Sequence, residues 1–144
     1  MNTKEQKYGQ NVASKVYFIK VLDELGIQRK YMGYYLLIEL MEILINQEMR
    51  ITSFSKQVYP MIAEKYGKTA CTIERNIRSL IEKNWCYDLM IKLNVYFVGD
   101  KKPTCREFIY LVRNYILKQI MWLIQLSWRE QFVDIWFDNV NIFR

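Results

Sequence analysis

Tyr59-Pro60-Met61-Ile62-Ala63-Glu64-Lys65-Tyr66-Gly67-Lys68-Thr69-Ala70-Cys71-Thr72-Ile73-Glu74-Arg75-Asn76-Ile77-Arg78-Ser79-Leu80-Ile81 reads as a short helix, a glycine turn and a second helix with arginines on its outer side. Pro60 has no N–H to donate and would clash with a carbonyl one turn back, so it belongs in a first helical turn, which predicts a helix over about 60–66. Gly67 suits the left-handed residue that ends this helix, and the Thr69 hydroxyl can accept from the orphan N–H groups that open the next. At 3.6 residues per turn, Ile73, Ile77, Leu80 and Ile81 fall on one side of the second helix. Cys71, Thr72, Arg75, Arg78, Ser79 and Glu82 fall on the other. One face docks and one is free, the arrangement of a helix-turn-helix. Arg75 and Arg78 lie one turn apart, so in a major groove one can meet a guanine edge while the other holds a phosphate or a neighbouring base. The same pattern fits a plain amphipathic surface helix with solvated arginines, and the pattern alone does not choose between them.

A longer set of residues does. Val21-Leu22-Asp23-Glu24-Leu25-Gly26-Ile27, Gly33-Tyr34, Val58-Tyr59-Pro60, Ile62-Ala63, Lys65-Tyr66, Thr69-Ala70, Ile73-Glu74-Arg75, Ile77-Arg78, Trp85, Lys102-Pro103-Thr104 and Glu107-Phe108-Ile109 follow one another in the order of a known family. From about Phe18 to Tyr115 the chain resembles the C-terminal effector domain of the sporulation initiation response regulator, stage zero sporulation protein A. The resemblance implies an all-helical domain of about six helices whose recognition helix reads a short G/C-containing promoter box. It implies that Glu74, Arg75 and Arg78 face DNA bases or backbone, with Lys68, Thr69, Cys71, Thr72 and Ser79 completing the DNA-binding surface. Thr72 departs from the family, which usually has arginine there; losing a base contact costs on the order of 1–3 kcal/mol. Cys71 and Ser79 depart as well, so the box read by this chain is expected to differ. The family places a phosphate-accepting receiver domain ahead of the effector, whereas here about 14 polar residues precede the first expected helix, too few for such a domain. Constitutive binding, or control by abundance, a partner or the chain's own tail, is the expectation that follows.

The composition agrees with one small domain. The chain has 144 residues, 51% of them hydrophobic and 15% aromatic, enough for a single modest core. A formal charge of +6 favours a polyanionic partner. Cys71, Cys86 and Cys105 are far apart without a C-x-x-C, and the polar start Met1-Asn2-Thr3-Lys4 is no signal peptide, so a reduced, cytoplasmic protein is expected. The chain contains no histidine, which removes a histidine base, Ser-His-Asp and Cys-His arrangements and histidine metal ligands. Gly67-Lys68-Thr69 resembles the end of a P-loop, but the earlier glycine falls at Ile62 and no strand precedes it. No catalysis, metal or cofactor is expected. Asp23-Glu24 and Glu39/Glu42 are read as outer-face acids, solvated or in intrahelical pairs.

The expected fold class is all-α, a compact multi-helix domain containing a helix-turn-helix, plus an extra C-terminal helix. Its organisation is a polar N-terminal arm over 1–14, a DNA-binding domain over 15–116 with the motif at about 60–85, and an apolar helical extension over 117–144. Expected helices run over Lys15–Leu25, with Val16, Ile19, Val21 and Leu22 inward and Gly26 closing it, and over Tyr31–Gln47 as the central core helix. The paired helices of the motif follow Thr52 or Ser53 as a cap, one more covers Tyr87–Phe97, and Thr104 with Glu107 forms a capping box for the last. The extension holds Ile120, Met121, Trp122, Leu123, Ile124, Leu126, Trp128, Phe132, Val133, Ile135, Trp136 and Phe137, a density of apolar groups that water does not favour. Lys118, Gln119, Gln125, Arg129, Glu130, Gln131 and Asp134 interrupt it too often for a membrane span. A helix packed on the domain or on a second copy is expected. The partner expected first is double-stranded DNA, bound as a homodimer, with RNA polymerase or a related regulator as further candidates. A second function fits the same residues: a non-catalytic interaction protein that binds or antagonises a related regulator through its aromatic tail.

Overall fold

The computed structural model describes residues 13–47, 49–95 and 101–142, with side chains of the last helix described as far as Asp134. The expected arm over 1–14 lies almost wholly outside these residues, while the helix expected over Tyr87–Phe97 ends at Lys92, where Leu93 closes it and Asn94 takes the left-handed φ of 56°. The described residues form only helices and connections: α1 (Lys15–Glu24), α2 (Met32–Met41), α3 (Tyr59–Tyr66), α4 (Ala70–Asn84), α5 (Tyr87–Lys92) and α6 (Cys105–Ile142). The all-α expectation is met.

Local chemistry marks most helix ends. The Ser14 hydroxyl accepts from Tyr17 N–H and opens α1. Phe18, Val21 and Leu22 then point inward, while Val16, expected in the core, is 75% exposed. The rotation that buries Phe18 carries Val16 outward. Ser53 caps the next helical segment by accepting from Lys56 N–H. That segment starts earlier than Pro60 predicts, because a wide π turn over Phe54–Val58 runs into α3 and Tyr59 N–H bonds back to Phe54. Pro60 then stands at the start of the α-helical part, where its missing N–H leaves no gap in the ladder. A second π turn, Glu42–Asn46, ends the run begun by α2. Asn46 anchors it, donating to Ala13 C=O at 2.7 Å and accepting from Ala13 N–H at 3.0 Å.

The core is organised around α2, with Tyr34, Leu36, Leu37, Leu40 and Met41 all buried. It packs against α1, α3, α4 and α6. The closest approach is to α4 at Gly33, where a Cβ would stand 2.5 Å from the backbone oxygen of Asn76 and 2.8 Å from Leu80 Cβ. Any side chain there forces the two backbones apart. Phe108, Ile109, Val112 and Ile116 of α6 close the remaining side, with Phe108 edge-on to Trp85 at 6.4 Å between ring centres.

Acids expected on outer faces instead tie helices together. Glu39 Oε1 accepts from Lys15 of α1 at 2.8 Å, Lys65 of α3 at 2.9 Å and the Tyr66 hydroxyl at 3.1 Å. Burial acts to raise the Glu39 pKa, but the hydrogen bonds from Lys15 and Lys65 outweigh it and leave the carboxyl below its ordinary value. Asp23 takes both a bidentate Arg29 and the Tyr34 hydroxyl, the latter at 2.8 Å. These bonds from Arg29 and Tyr34 lower the Asp23 pKa. Burial and the bond to Asp23 push the Tyr34 phenol up to about 12.

Two outcomes follow. Gly33→Ala is expected to destabilise the chain by about 1–3 kcal/mol in urea unfolding, the range for overpacking against backbone that cannot yield. Glu39→Gln is expected to cost on the order of 1 kcal/mol at neutral pH, because both lysines remain partly in water. A carboxyl whose folded pKa is depressed stabilises above its unfolded value, about 4.3 for glutamate, and loses that contribution as pH falls through the folded pKa. The stability gap between wild type and Glu39→Gln, followed by unfolding against pH, therefore closes on the acid side of the ordinary glutamate range.

Candidate nucleic-acid interface

The turn between α3 and α4 is built from two interlocking caps. Gly67 adopts φ 61° and ψ 35°, the left-handed region that costs a residue with a Cβ about a kilocalorie or more. Lys68 N–H bonds to Ala63 C=O at 2.8 Å and Gly67 N–H to Glu64 C=O at 3.4 Å, the paired bonds of a Schellman motif. Two residues on, the Thr69 hydroxyl accepts from Thr72 N–H at 3.2 Å and lies 2.9 Å from the Thr72 hydroxyl. Thr72 is thereby engaged in the cap and half-buried. The turn fixes where α4 starts; Ile73, Ile77, Leu80 and Ile81, all buried, fix its rotation. Its far end is held by Asn84, which accepts from Gln28 N–H at 3.0 Å.

With that rotation set, Arg75 stands near the middle of the open side. Cys71, Ser79, Lys68 and Thr69 are exposed around it. Glu82 also opens to solvent there, towards the far end of α4. Arg78 is exposed too, but it lies on the flank and donates to Glu74 Oε1 at 2.7 Å across one helical turn. Glu74 is half-buried. The structure thus brings Lys68, Thr69, Cys71, Thr72, Arg75 and Ser79 onto one end and side of α4, and sets Glu74 and Arg78 along its edge.

That edge faces the start of α6. A groove of about 340 Å³ runs between them, lined by Glu74, Arg78, Ile81, Glu82, Lys102, Pro103, Thr104 and Cys105. Pro103 is buried and seats the loop, leaving Lys101 and Lys102 exposed beside it. The Thr104 hydroxyl accepts from Glu107 N–H at 3.2 Å, as the capping-box reading of this segment expects. The Cys105 thiol points at Glu74 C=O, 3.8 Å away, and burial pushes its pKa up. It is a neutral lining group with little thiolate character. The place of Lys101 and Lys102 beside the Arg78 flank depends on contacts across the fold that no short-range pattern carries.

No group of three or more His, Cys, Asp or Glu side chains among the described residues is placed to hold a metal ion. No helix among them is long and apolar enough to cross a membrane.

Residues 18–116 match the family described as Sporulation initiation factor Spo0A C terminal, and the chain belongs to that family. The family is a DNA-binding effector domain of transcription regulation in sporulation, so the chain is a DNA-binding regulatory protein in this general sense.

The cap is the local device that sets where α4 starts, and it can be tested alone. Thr69→Ala is expected to lower stability by about 1 kcal/mol through loss of the Thr72 N–H partner, whereas Thr69→Asp, which keeps an acceptor, is expected to retain most of it. Thermal unfolding of both variants makes the comparison.

Proposed function

We propose that the chain is a sequence-specific transcription regulator that places α4 in the major groove of promoter DNA. The observation that carries this reading is the position of Arg75, exposed at the centre of the side of α4 that packs on nothing among the described residues. An arginine on such a face can donate two parallel hydrogen bonds to guanine O6 and N7. Recognition helices of this type use their N-terminal residues on bases, which fits Cys71, Thr72, Arg75 and Ser79 beside the Lys68-Thr69 turn. Glu82, at the other end of the open side, would repel phosphate, so contact concentrates on the first half of the helix.

Arg78 takes a second role. Its ion pair with Glu74 holds the guanidinium along the edge, beside the Lys101-Lys102 loop. Phosphates of one strand flanking the groove would meet these three cations. Glu74 then positions Arg78 and offers a carboxylate to a cytosine amino group. Binding as a homodimer on repeated half-sites, and contact with RNA polymerase, belong to the same reading. The second reading, an interaction protein acting on a related regulator through its tail, is favoured by the exposed apolar side chains of α6.

The roles of single side chains separate in a salt titration on a specific and a random duplex. Arg75→Ala is expected to cost about 1–3 kcal/mol on the specific site and much less on random DNA. Lys102→Ala is expected to weaken both alike and to lower the slope of log affinity against log salt by about 1. An Arg75→Ala protein that binds and discriminates like wild type would contradict the reading and favour the tail-mediated alternative.

A further inference from the structure

α6 continues unbroken for 38 residues, from Cys105 to Ile142. Its first part is anchored in the core, and Ile120 is the last described side chain packed against it. At 1.5 Å per residue the helix then projects about 33 Å beyond the domain. Along this projection Met121, Ile124, Trp128 and Phe132 follow spacings of three and four and share one side. They are exposed, Trp128 to 68% and Phe132 to 69%. Trp122, Leu126 and Val133 form a second exposed stripe on the other side. A helix apolar on two sides needs neighbours.

We propose that α6 beyond Ile120 is a self-association helix, paired with the same helix of a second copy of this chain. The area decides for a protein partner of this size. With whole large side chains taken at on the order of 200 Å², the exposed fractions of the large apolar groups in this stretch amount to roughly 900 Å² over both stripes, roughly 500 Å² of it on the side of Met121, Ile124, Trp128 and Phe132. A standard stable interface removes about 800 Å² from each partner, which this helix reaches only when both stripes are covered, and monomers rarely leave so much apolar surface on one helix in water. A membrane surface fits less well. Lys118 and Arg129 are balanced by Glu130 and Asp134, so the helix offers anionic headgroups no basic surplus. Among the described residues nothing of the chain's own domain covers this stretch, since every side chain from Met121 to Asp134 is exposed. A second copy brings an identical stripe, and an isologous pairing about a two-fold axis covers the same patch on both chains at once. The spacing of Met121, Ile124 and Trp128 is that of interdigitating seam positions. The anchored half of α6 and the open side of α4 stay clear of this contact.

Sedimentation equilibrium of the full chain without DNA tests the inference independently of what α4 reads. Wild type is expected to sediment with the mass of at least two chains across the micromolar range. Ile124→Glu combined with Trp128→Glu is expected to give the mass of one chain with unchanged helix content and melting temperature, while Trp128→Phe keeps the assembly. A wild-type chain that stays monomeric throughout, or a glutamate variant that keeps the higher mass, would overturn the proposal; the wild-type series decides alone if the variant fails to fold. A monomer that co-sediments with phosphatidylglycerol vesicles would likewise overturn it, assigning the helix to a membrane surface.

Discussion

The close seat of α4 on α2 governs what this protein can present to a partner. Gly33 lets the backbone of α2 approach Asn76 to a distance that no side chain would allow, and Ile73, Ile77 and Leu80 fill the contact without residual exposure. Packing at that density does not rotate by small steps. The azimuth of Arg75 is therefore fixed by groups on the opposite side of its own helix. The Schellman turn at Gly67 and the paired Thr69 and Thr72 hydroxyls fix the axial position in the same way. Together they place the open side of α4 before any ligand arrives, which keeps the ordering cost of binding small.

A second level of constraint comes from polar ties across the helices. Glu39 joins α1, α2 and α3 at one oxygen, and Asp23 joins α1 to Tyr34 and to Arg29 in the connection between α1 and α2. No buried side-chain nitrogen or oxygen among the described residues lacks a hydrogen-bond partner, so these ties do not leave desolvated groups unmatched. Their value lies in geometry: each fixes the register of one helix against the next, and α3 must be fixed for the turn into α4 to start in the right place.

Much of this was legible in the sequence, for identifiable reasons. The two faces of α4, its Thr69 cap, the Gly67 turn and the Thr104 cap of α6 depend on residues within a few positions of one another, and short-range patterns carry that information. The Glu39 cluster was not legible, because Lys15 and Lys65 lie 24 and 26 residues away and only the fold brings them together. The π turn ahead of α3 was hidden by Pro60, which marks the start of a helical ladder equally well whether or not a wider turn precedes it. The course of α6 was half legible. No glycine or proline occurs after Pro103, and that absence was the signal for one continuous helix in place of a separate extension. The pairing of Arg78 with Glu74, at a favourable spacing of four, could have been read from the sequence but was passed over in favour of a direct role for both on DNA.

Thr72 carries the sharpest question about specificity. In the structure its hydroxyl belongs to the cap, so this position contributes to the start of the helix, and Arg75 is the arginine at the centre of the open side. The most direct measurement is fluorescence anisotropy of the full chain on a duplex bearing the family's G/C-containing box and on a scrambled duplex, over a series of salt concentrations. The account predicts a preference of ~1000-fold or more for one defined duplex, found either on that box or after unbiased site selection. Equal affinity for every duplex, falling steeply with salt, would contradict it, because the open side of α4 would then be reading phosphate charge and no bases.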